Sequence, residues 1–294
     1  MSNRSLDDSS PDLSELAESW RIHLRAQHKS PQTVRAYLLS VQMFLSSSTE
    51  LTKGAVIAWL ASMADVESAT VRLRLAAVKQ FAKWLASEDY LDADPILMVR
   101  PPKLDAKPVP DLSTDEVTRM LKACAGKDWR AKRDRAIITL LAETGLRAAE
   151  LLALDITDVD LGSCIALVRR RKGARARRVQ FSPSAAAAID RYRRAVSLPA
   201  DGPLWLSSTG RLTYTGMRHT LGARAEAAGV IGFHAHRLRH TAAVRWLAAG
   251  GSEGGLMAQA GWQSREMVDR YVSVARETLA GEEFNRLGLD VDWS

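Results

Sequence analysis

Apolar residues recur at helical spacing through most of the chain. In "SPQTVRAYLLSVQMFL", Val34, Tyr37, Leu38, Val41 and Leu45 fall at i, i+3, i+4, i+7 and i+11, behind Ser30 as N-cap and Pro31 at the first helical position. In "ATVRLRLAAVKQFAKWLAS", Val71, Leu75, Val78, Phe81 and Leu85 form an apolar stripe, while Arg72, Lys79 and Lys83 share another face. Helix is predicted from Asp12 to about Leu91. Five prolines between residues 94 and 113 then forbid a continuous helix or a paired central strand. They predict a domain boundary near residue 105, with a loose tail at 1–11, a helical domain at 12–98, a linker at 99–112, a second domain at 113–275 and a tail at 276–294.

The second domain reads as mixed. "STDEVTRMLKACA" starts with a Ser/Thr cap and an acidic first turn, and "WRAKRDRAIITLLAET" is a helix closing near Gly145. In "SCIALVRRRKGARARRVQF", two β-branched and aromatic runs flank "KGAR", which predicts a hairpin. Further helices are expected around 184–197, 214–228, 236–248 and 264–275, without repeats or heptads. The predicted class is mostly α with a small antiparallel sheet.

Composition narrows the function. The 294 residues suffice for about two domains, and 46% apolar content is ample for sizeable cores. A net charge of +7 and a pI near 9.6 suit a nucleic-acid partner without requiring one. Cys124 and Cys164 are the only cysteines and have no metal-ligand spacing, which suits a reducing compartment. The polar, acidic N-terminus does not read as a signal peptide, and no apolar run approaches the roughly 18–20 residues of a membrane span. A cytoplasmic location is expected.

The densest chemistry is "HAHRLRH", residues 234–240, directly before the apolar helical run "TAAVRWLAA". A metal site, an anion site and a by-product of basic composition are the competing explanations. His236 and His240 lie at i, i+4, but HExxH is absent and Arg237 and Arg239 would oppose a divalent cation. "GGSEG", residues 250–254, formally matches a nucleophile elbow, yet helical sequence precedes it, so it reads as a helix end and a loop. Neither a P-loop nor a dinucleotide-binding glycine loop occurs, and no cofactor or metal is expected.

An anion site gains support from a second box, "ETGLRAAELLAL", where Gly145 permits a tight turn and Arg147 starts a new helix. His236 and Arg239, three apart, share one helical face. Two guanidiniums and a helix N-terminus suffice to hold a phosphate. Between the boxes lies "RRRKGARARR", residues 169–178, with seven basic residues in ten. On a hairpin with Lys172 at its tip, this run can meet a DNA groove or backbone. Downstream, "AGWQSREMVDRYVSV" carries Trp262 and then Tyr271, the one tyrosine C-terminal to both arginine boxes.

The ordered set "TGLRAAEL", "RKG" on a hairpin, "HRLRH", "GW" and then "Y" resembles the tyrosine recombinase, or phage integrase, family across residues 113–275. The helical first domain resembles that family's core-binding domain. The resemblance implies that Arg147 and Arg239 clamp the scissile phosphate, Lys172 is the general acid, His236 opens the H-x-x-R box and Tyr271 is the nucleophile. Trp262 stands where most members carry histidine, although tryptophan also occurs there. It can donate one indole hydrogen bond but cannot titrate. Glu150 and His240 match positions that support the catalytic residues.

The implied activity is strand cleavage through a 3′-phosphotyrosyl link, followed by attack of a 5′-hydroxyl from a second duplex. The arginines stabilise the transition-state charge, and covalent storage removes the need for a nucleotide or a metal. Expected partners are double-stranded DNA carrying a specific site and further copies of the chain, two per site and four on a Holliday junction. Arg72, Arg74, Lys79 and Lys83 are the candidate DNA face of the first domain. Arg169, Arg170, Arg171, Arg175, Arg177 and Arg178 are those of the hairpin. The tail offers Leu279, Phe284 and Leu287 as anchors, for a neighbouring protomer or for its own domain. The alternatives are type IB topoisomerase-like relaxation and an inert DNA-binding regulator.

Overall fold

The computed structural model of the chain describes residues 12–103, 111–169, 176–269, 271–272, 280, 284 and 287. The chain divides into two compact units, Met1–Lys107 and Pro108–Ser294. Among the described residues no helix is long and apolar enough to cross a membrane.

The first unit holds α1 (Leu13–Ala26), α2 (Pro31–Leu45), α3 (Lys53–Ala61) and α4 (Ser68–Ser87). Three starts are fixed locally: the side chains of Asp12, Ser30 and Thr52 accept backbone N–H bonds from the first turns of α1, α2 and α3. Such caps each contribute about 1 kcal/mol. The stripe predicted on α4 is buried, and Phe81 meets Trp20 of α1 at 5.2 Å between ring centroids. Three of the four α4 cations are engaged within the unit. Arg72 donates to the Pro102 carbonyl at 2.7 Å, and Lys79 donates to the carbonyls of Leu97 and Val99 at 2.7 and 2.9 Å. Arg74 reaches the Met63 sulfur at 3.1 Å, and Lys83 is exposed. The proline-rich segment after α4 cannot satisfy its own carbonyls through a helix ladder, so lysine and arginine donors do it instead.

The second unit comprises α5 (Thr114–Lys122), α6 (Trp129–Thr144), α7 (Ala148–Leu152), a 3-10 turn (Ile156–Asp158), β1 (Val159–Asp160), β2 (Ile165–Val168), β3 (Arg177–Gln180), α8 (Pro183–Val196), β4 (Leu206–Ser207), β5 (Gly210–Arg211), α9 (Tyr214–Ala227), α10 (Ala235–Ala248) and α11 (Glu253–Ala260). Strands β1, β2 and β3 form one antiparallel sheet in that order, with Val168 opposite Arg177, while β4 and β5 form a separate hairpin. The predicted hairpin is therefore β2–β3, and its turn, with Arg170, Arg171, Lys172 and Arg175, lies outside the described residues. The main core centres on α6, which packs against α8, with Ile137, Ile138, Leu140 and Leu141 buried beside Ile189, Tyr192 and Trp205.

The loop expected at "GGSEG" needs correction. Gly250, at φ 76°, does follow the end of α10, but Ser252 then caps a new helix, its Oγ accepting from Gly255 N at 3.1 Å. Two glycines in its first turn hide α11 from a propensity reading. Packing decides it: Leu256 and Ala260 join Ala243 and Leu247 of α10 in a second cluster, which also contains Trp262, Val268, Tyr271 and Val272.

Candidate active site

Gly145 ends α6 in the left-handed conformation, at φ 62° and ψ 24°, and this turn delivers Arg147 to the start of α7. Glycine adopts that backbone at no steric cost, and a Cβ here would lie 3.3 Å from the Ala242 Cβ of α10. The two boxes meet at this point. Arg239 of α10, 2% exposed, donates from Nη1 to the Gly145 carbonyl. Ninety-odd intervening residues thus close on one hydrogen bond.

Around that contact the other residues assemble within the second unit. The Arg239 guanidinium carbon stands 5.0 Å from the centre of the Trp262 ring, a cation–π contact. Residues 266–269 and 271–272 are helical, and from that segment Tyr271 stacks on Trp262, with centroids 4.9 Å apart and planes 9° from parallel. His240 lies 5.0 Å from Tyr271, and His236 meets His240 edge-on at 4.6 Å. Arg147 donates from Nη1 to Glu150 Oε1 at 3.2 Å and to the Gly261 carbonyl at 3.1 Å. Arg147, His236, Arg239, Trp262 and Tyr271 therefore occupy one region, with Glu150 and His240 against them. Arg239 Nη2 and Trp262 Nε1 are buried N–H groups with no hydrogen-bond partner among the described residues. Such a donor costs about 1–3 kcal/mol unless a ligand oxygen accepts from it.

Charge follows geometry. Burial, followed by the nearby Arg147 charge, lowers the Arg239 pKa to about 10, so it stays cationic at neutral pH. Burial, then the charges of Arg239, His234 and Arg147, push the His236 pKa below its usual value, so it is neutral there. A phosphodiester placed among these groups would relieve their mutual repulsion. Among the described residues no group of three His, Cys, Asp or Glu side chains could hold a metal ion.

Glu150 balances this positive cluster. Burial alone would raise its pKa, but hydrogen bonds from the Arg177 side chain and the Arg147 backbone, with both guanidinium charges, hold it at about 2. A folded pKa below the ordinary 4.5 means stabilisation that is complete above that value and is lost as pH falls toward 2. Glu150→Gln should therefore cost on the order of 1–3 kcal/mol at pH 7, allowing for partial solvent screening. Urea unfolding at pH 7 and pH 3 checks this: the gap between wild type and variant must narrow in acid.

The hairpin cations divide by strand geometry. Arg178 is exposed, and Arg169 is 68% exposed while paired with the buried Asp158 at 2.6 Å. Arg177, grouped by sequence with the DNA-contact residues, is instead turned inward onto Glu150, its side chain 12% exposed. The strand alternation held the signal: Arg177 shares a face with the buried Val179. Gln259 was also missed. Its side chain bonds both backbone groups of Gln180, tying α11 to β3.

Comparison with known proteins agrees with this architecture. Residues 110–278 match the Phage integrase family, and residues 17–89 match the Phage integrase, N-terminal SAM-like domain. The tyrosine recombinase XerC of Myxococcus xanthus is 31% identical over 287 residues, covering 91% of this chain and 95% of that one. XerC of Mycobacterium tuberculosis is 33% identical over 242 residues, covering 76% and 81%. Among solved structures, XerA recombinase matches at 26% identity and a TM-score of 0.55, covering 93% of this chain and 98% of that one. XerH bound to its palindromic difH substrate has a TM-score of 0.74 at 17% identity, covering 92% and 84%. A lambda integrase tetramer bound to a Holliday junction has a TM-score of 0.72 at 16% identity, covering 89% and 80%, and these last two show the shared fold. By its two domain matches, its relatives and its fold, this chain belongs to the phage integrase family of tyrosine recombinases.

Proposed function

We propose that this protein is a site-specific DNA recombinase whose Tyr271 attacks a phosphodiester held by Arg147 and Arg239. The phenol gives up its proton to solvent as its oxygen bonds to phosphorus, the P–O5′ bond breaks, and the fragment whose 3′ end carries the phosphate remains on the tyrosine. The departing 5′ oxygen takes a proton from Lys172. A 5′-hydroxyl from a second duplex then attacks the phosphotyrosine, its proton passing back to Lys172. The phosphodiester is restored, and the leaving phenolate takes up a proton to return the phenol. No bond energy leaves the system, so no nucleotide is needed. Arg147 and Arg239 offset the added negative charge of the five-coordinate transition state, and Trp262 supplies one fixed N–H donor. Neutral His236 can donate or accept one hydrogen bond without adding a third charge.

The observation that carries this reading is the convergence of Arg239, Trp262 and Tyr271 within one unit, with Arg147 beside them. It supports attack by the tyrosine on a phosphate held in the same subunit. The partners are double-stranded DNA with a specific site and further copies of this chain, two per site and four on a junction. Action on DNA fits a cytoplasmic location. The exposed cations Lys83, Arg169 and Arg178, with Arg170, Arg171 and Arg175 of the turn, contact backbone phosphates.

Recombination and simple relaxation are separable on one plasmid carrying two copies of a site selected from random DNA. A recombinase yields two product circles from directly repeated sites. A ladder of relaxed topoisomers without product circles would instead identify a type IB topoisomerase activity. Binding without either would identify a regulator.

A further inference from the structure

Arg177 begins β3 and joins three segments of the second unit. Its Nη1 and Nη2 donate to the two carboxylate oxygens of Glu150 at 2.9 and 2.8 Å, and its Nε donates to the Gln259 carbonyl at 3.3 Å. The strand that follows the segment holding Lys172, the helix that follows Arg147 and the end of α11 thus meet on one side chain. The turn leading to Trp262 lies directly against it. Gly261 has φ 68°, and a Cβ there would stand 2.6 Å from the guanidinium carbon.

The consequence falls on Arg147. Glu150 accepts four hydrogen bonds from the described residues: two from Arg177, one from the Arg147 backbone at 3.0 Å, and one from Arg147 Nη1 at 3.2 Å, the longest. The parallel two-point grip, the strongest geometry between guanidinium and carboxylate, belongs to Arg177. Arg147 gives Glu150 a single side-chain N–H, and its side-chain contacts among the described residues both run through Nη1. If Arg177 lost its guanidinium, the nearest cation able to satisfy this carboxylate would be Arg147 itself, three residues away. A two-point grip there would draw its remaining donors off the phosphate.

We infer that Arg177 is a positioning residue for strand cleavage: by saturating Glu150 it leaves the Arg147 guanidinium available to the scissile phosphate. This rests on the recombinase reading above. It also separates Arg177 from the hairpin cations that meet DNA, since its side chain is 12% exposed and each of its three nitrogens donates within the protein.

The test compares wild type, Arg177→Met and the double variant Arg177→Met/Glu150→Gln. Single-turnover cleavage of a nicked suicide duplex is followed at saturating protein, and DNA affinity is measured separately by gel shift. Arg177→Met should slow cleavage by about 30-fold or more, while affinity changes by less than about threefold, the pattern of an interaction felt in the transition state. Adding Glu150→Gln should restore at least about tenfold, because a neutral amide no longer captures Arg147. A merely structural bridge predicts no such recovery, and a double variant as slow as the single one overturns the inference. Equal losses of cleavage and affinity also overturn it, making Arg177 a DNA contact. Should Arg177→Met fail to fold, Arg177→Lys keeps the charge without the fork. Cleavage slowed by about threefold to tenfold is then expected, and an unchanged rate overturns the inference. Absence of an adduct from wild type would overturn the recombinase reading itself, whereas wild-type cleavage with an unrescued double variant overturns the inference alone.

Discussion

Replacing Tyr271 with phenylalanine is expected to abolish the SDS-resistant protein–DNA adduct while leaving the fold and the DNA affinity intact. The change removes one oxygen and keeps the ring that stacks on Trp262 at 4.9 Å and faces His240 at 5.0 Å. That stacking contributes about 0.5–1.5 kcal/mol beyond area burial and is retained by phenylalanine. The chemical loss is of another order. Without the nucleophile no covalent intermediate forms, so cleavage should fall by about 10³-fold or more, to the limit of detection. A nicked suicide duplex makes the readout sensitive, because the short fragment beyond the cleavage point diffuses away and cannot reverse the reaction. The other second-unit tyrosines offer no substitute. Tyr192 is buried, stacks on Trp205 and accepts a hydrogen bond from Leu206 N, while Tyr214 is 57% exposed. An adduct of wild-type yield from the phenylalanine variant would end the assignment of Tyr271 as nucleophile.

Arg239→Ala should give the next largest effect, a loss of about 10²–10³-fold in the cleavage rate, the usual cost of removing one donor aimed at transition-state charge. Ground-state DNA binding should weaken far less, because many phosphate contacts share it. Arg239 also holds the Gly145 carbonyl and packs on Trp262, so thermal unfolding of the variant must be measured beside its rate. Arg239→Lys helps to separate charge from shape. Lysine retains the cation but lacks the planar fork, and partial activity well below wild type is expected. Cleavage falling only in proportion to DNA affinity would mean that Arg239 contributes binding, not catalysis.

Each of these residues was visible as a letter in an ordered pattern, and the local rules explain why. Ser30 and Pro31 do start α2, Ser113 caps α5 in a reciprocal box with Glu116, and Gly145 ends α6 at positive φ. Those features depend on backbone geometry over four or five residues, which neighbouring side chains decide. Shorter or weaker elements escaped the same rules. β4 and β5 have two residues each, too few for an alternation to register. Helix α11 carries Gly254 and Gly255 in its first turn and forms because its apolar face packs on α10. The α4 cations looked like a surface stripe, yet Arg72 and Lys79 close carbonyls in the segment that follows.

By itself the sequence determined the helical class, the hairpin, the composition of the two arginine boxes and the order in which the reactive residues appear. Periodicity and capping are short-range, so they survive in one dimension. Only the tertiary structure decided which cations stay exposed and which bond within the protein. Arg177 and Arg178 are adjacent and chemically identical, yet one is committed to Glu150 and the other is exposed. That choice depends on which face of β3 meets α7 and α11, a contact between segments many residues apart that no local pattern records. The approach of Tyr271 to Trp262, and of Trp262 to Arg239, is of the same kind. It is set by the packing of α10 against α6 and α11, because side chains distant in sequence are brought together by buried apolar faces rather than by their own chemistry.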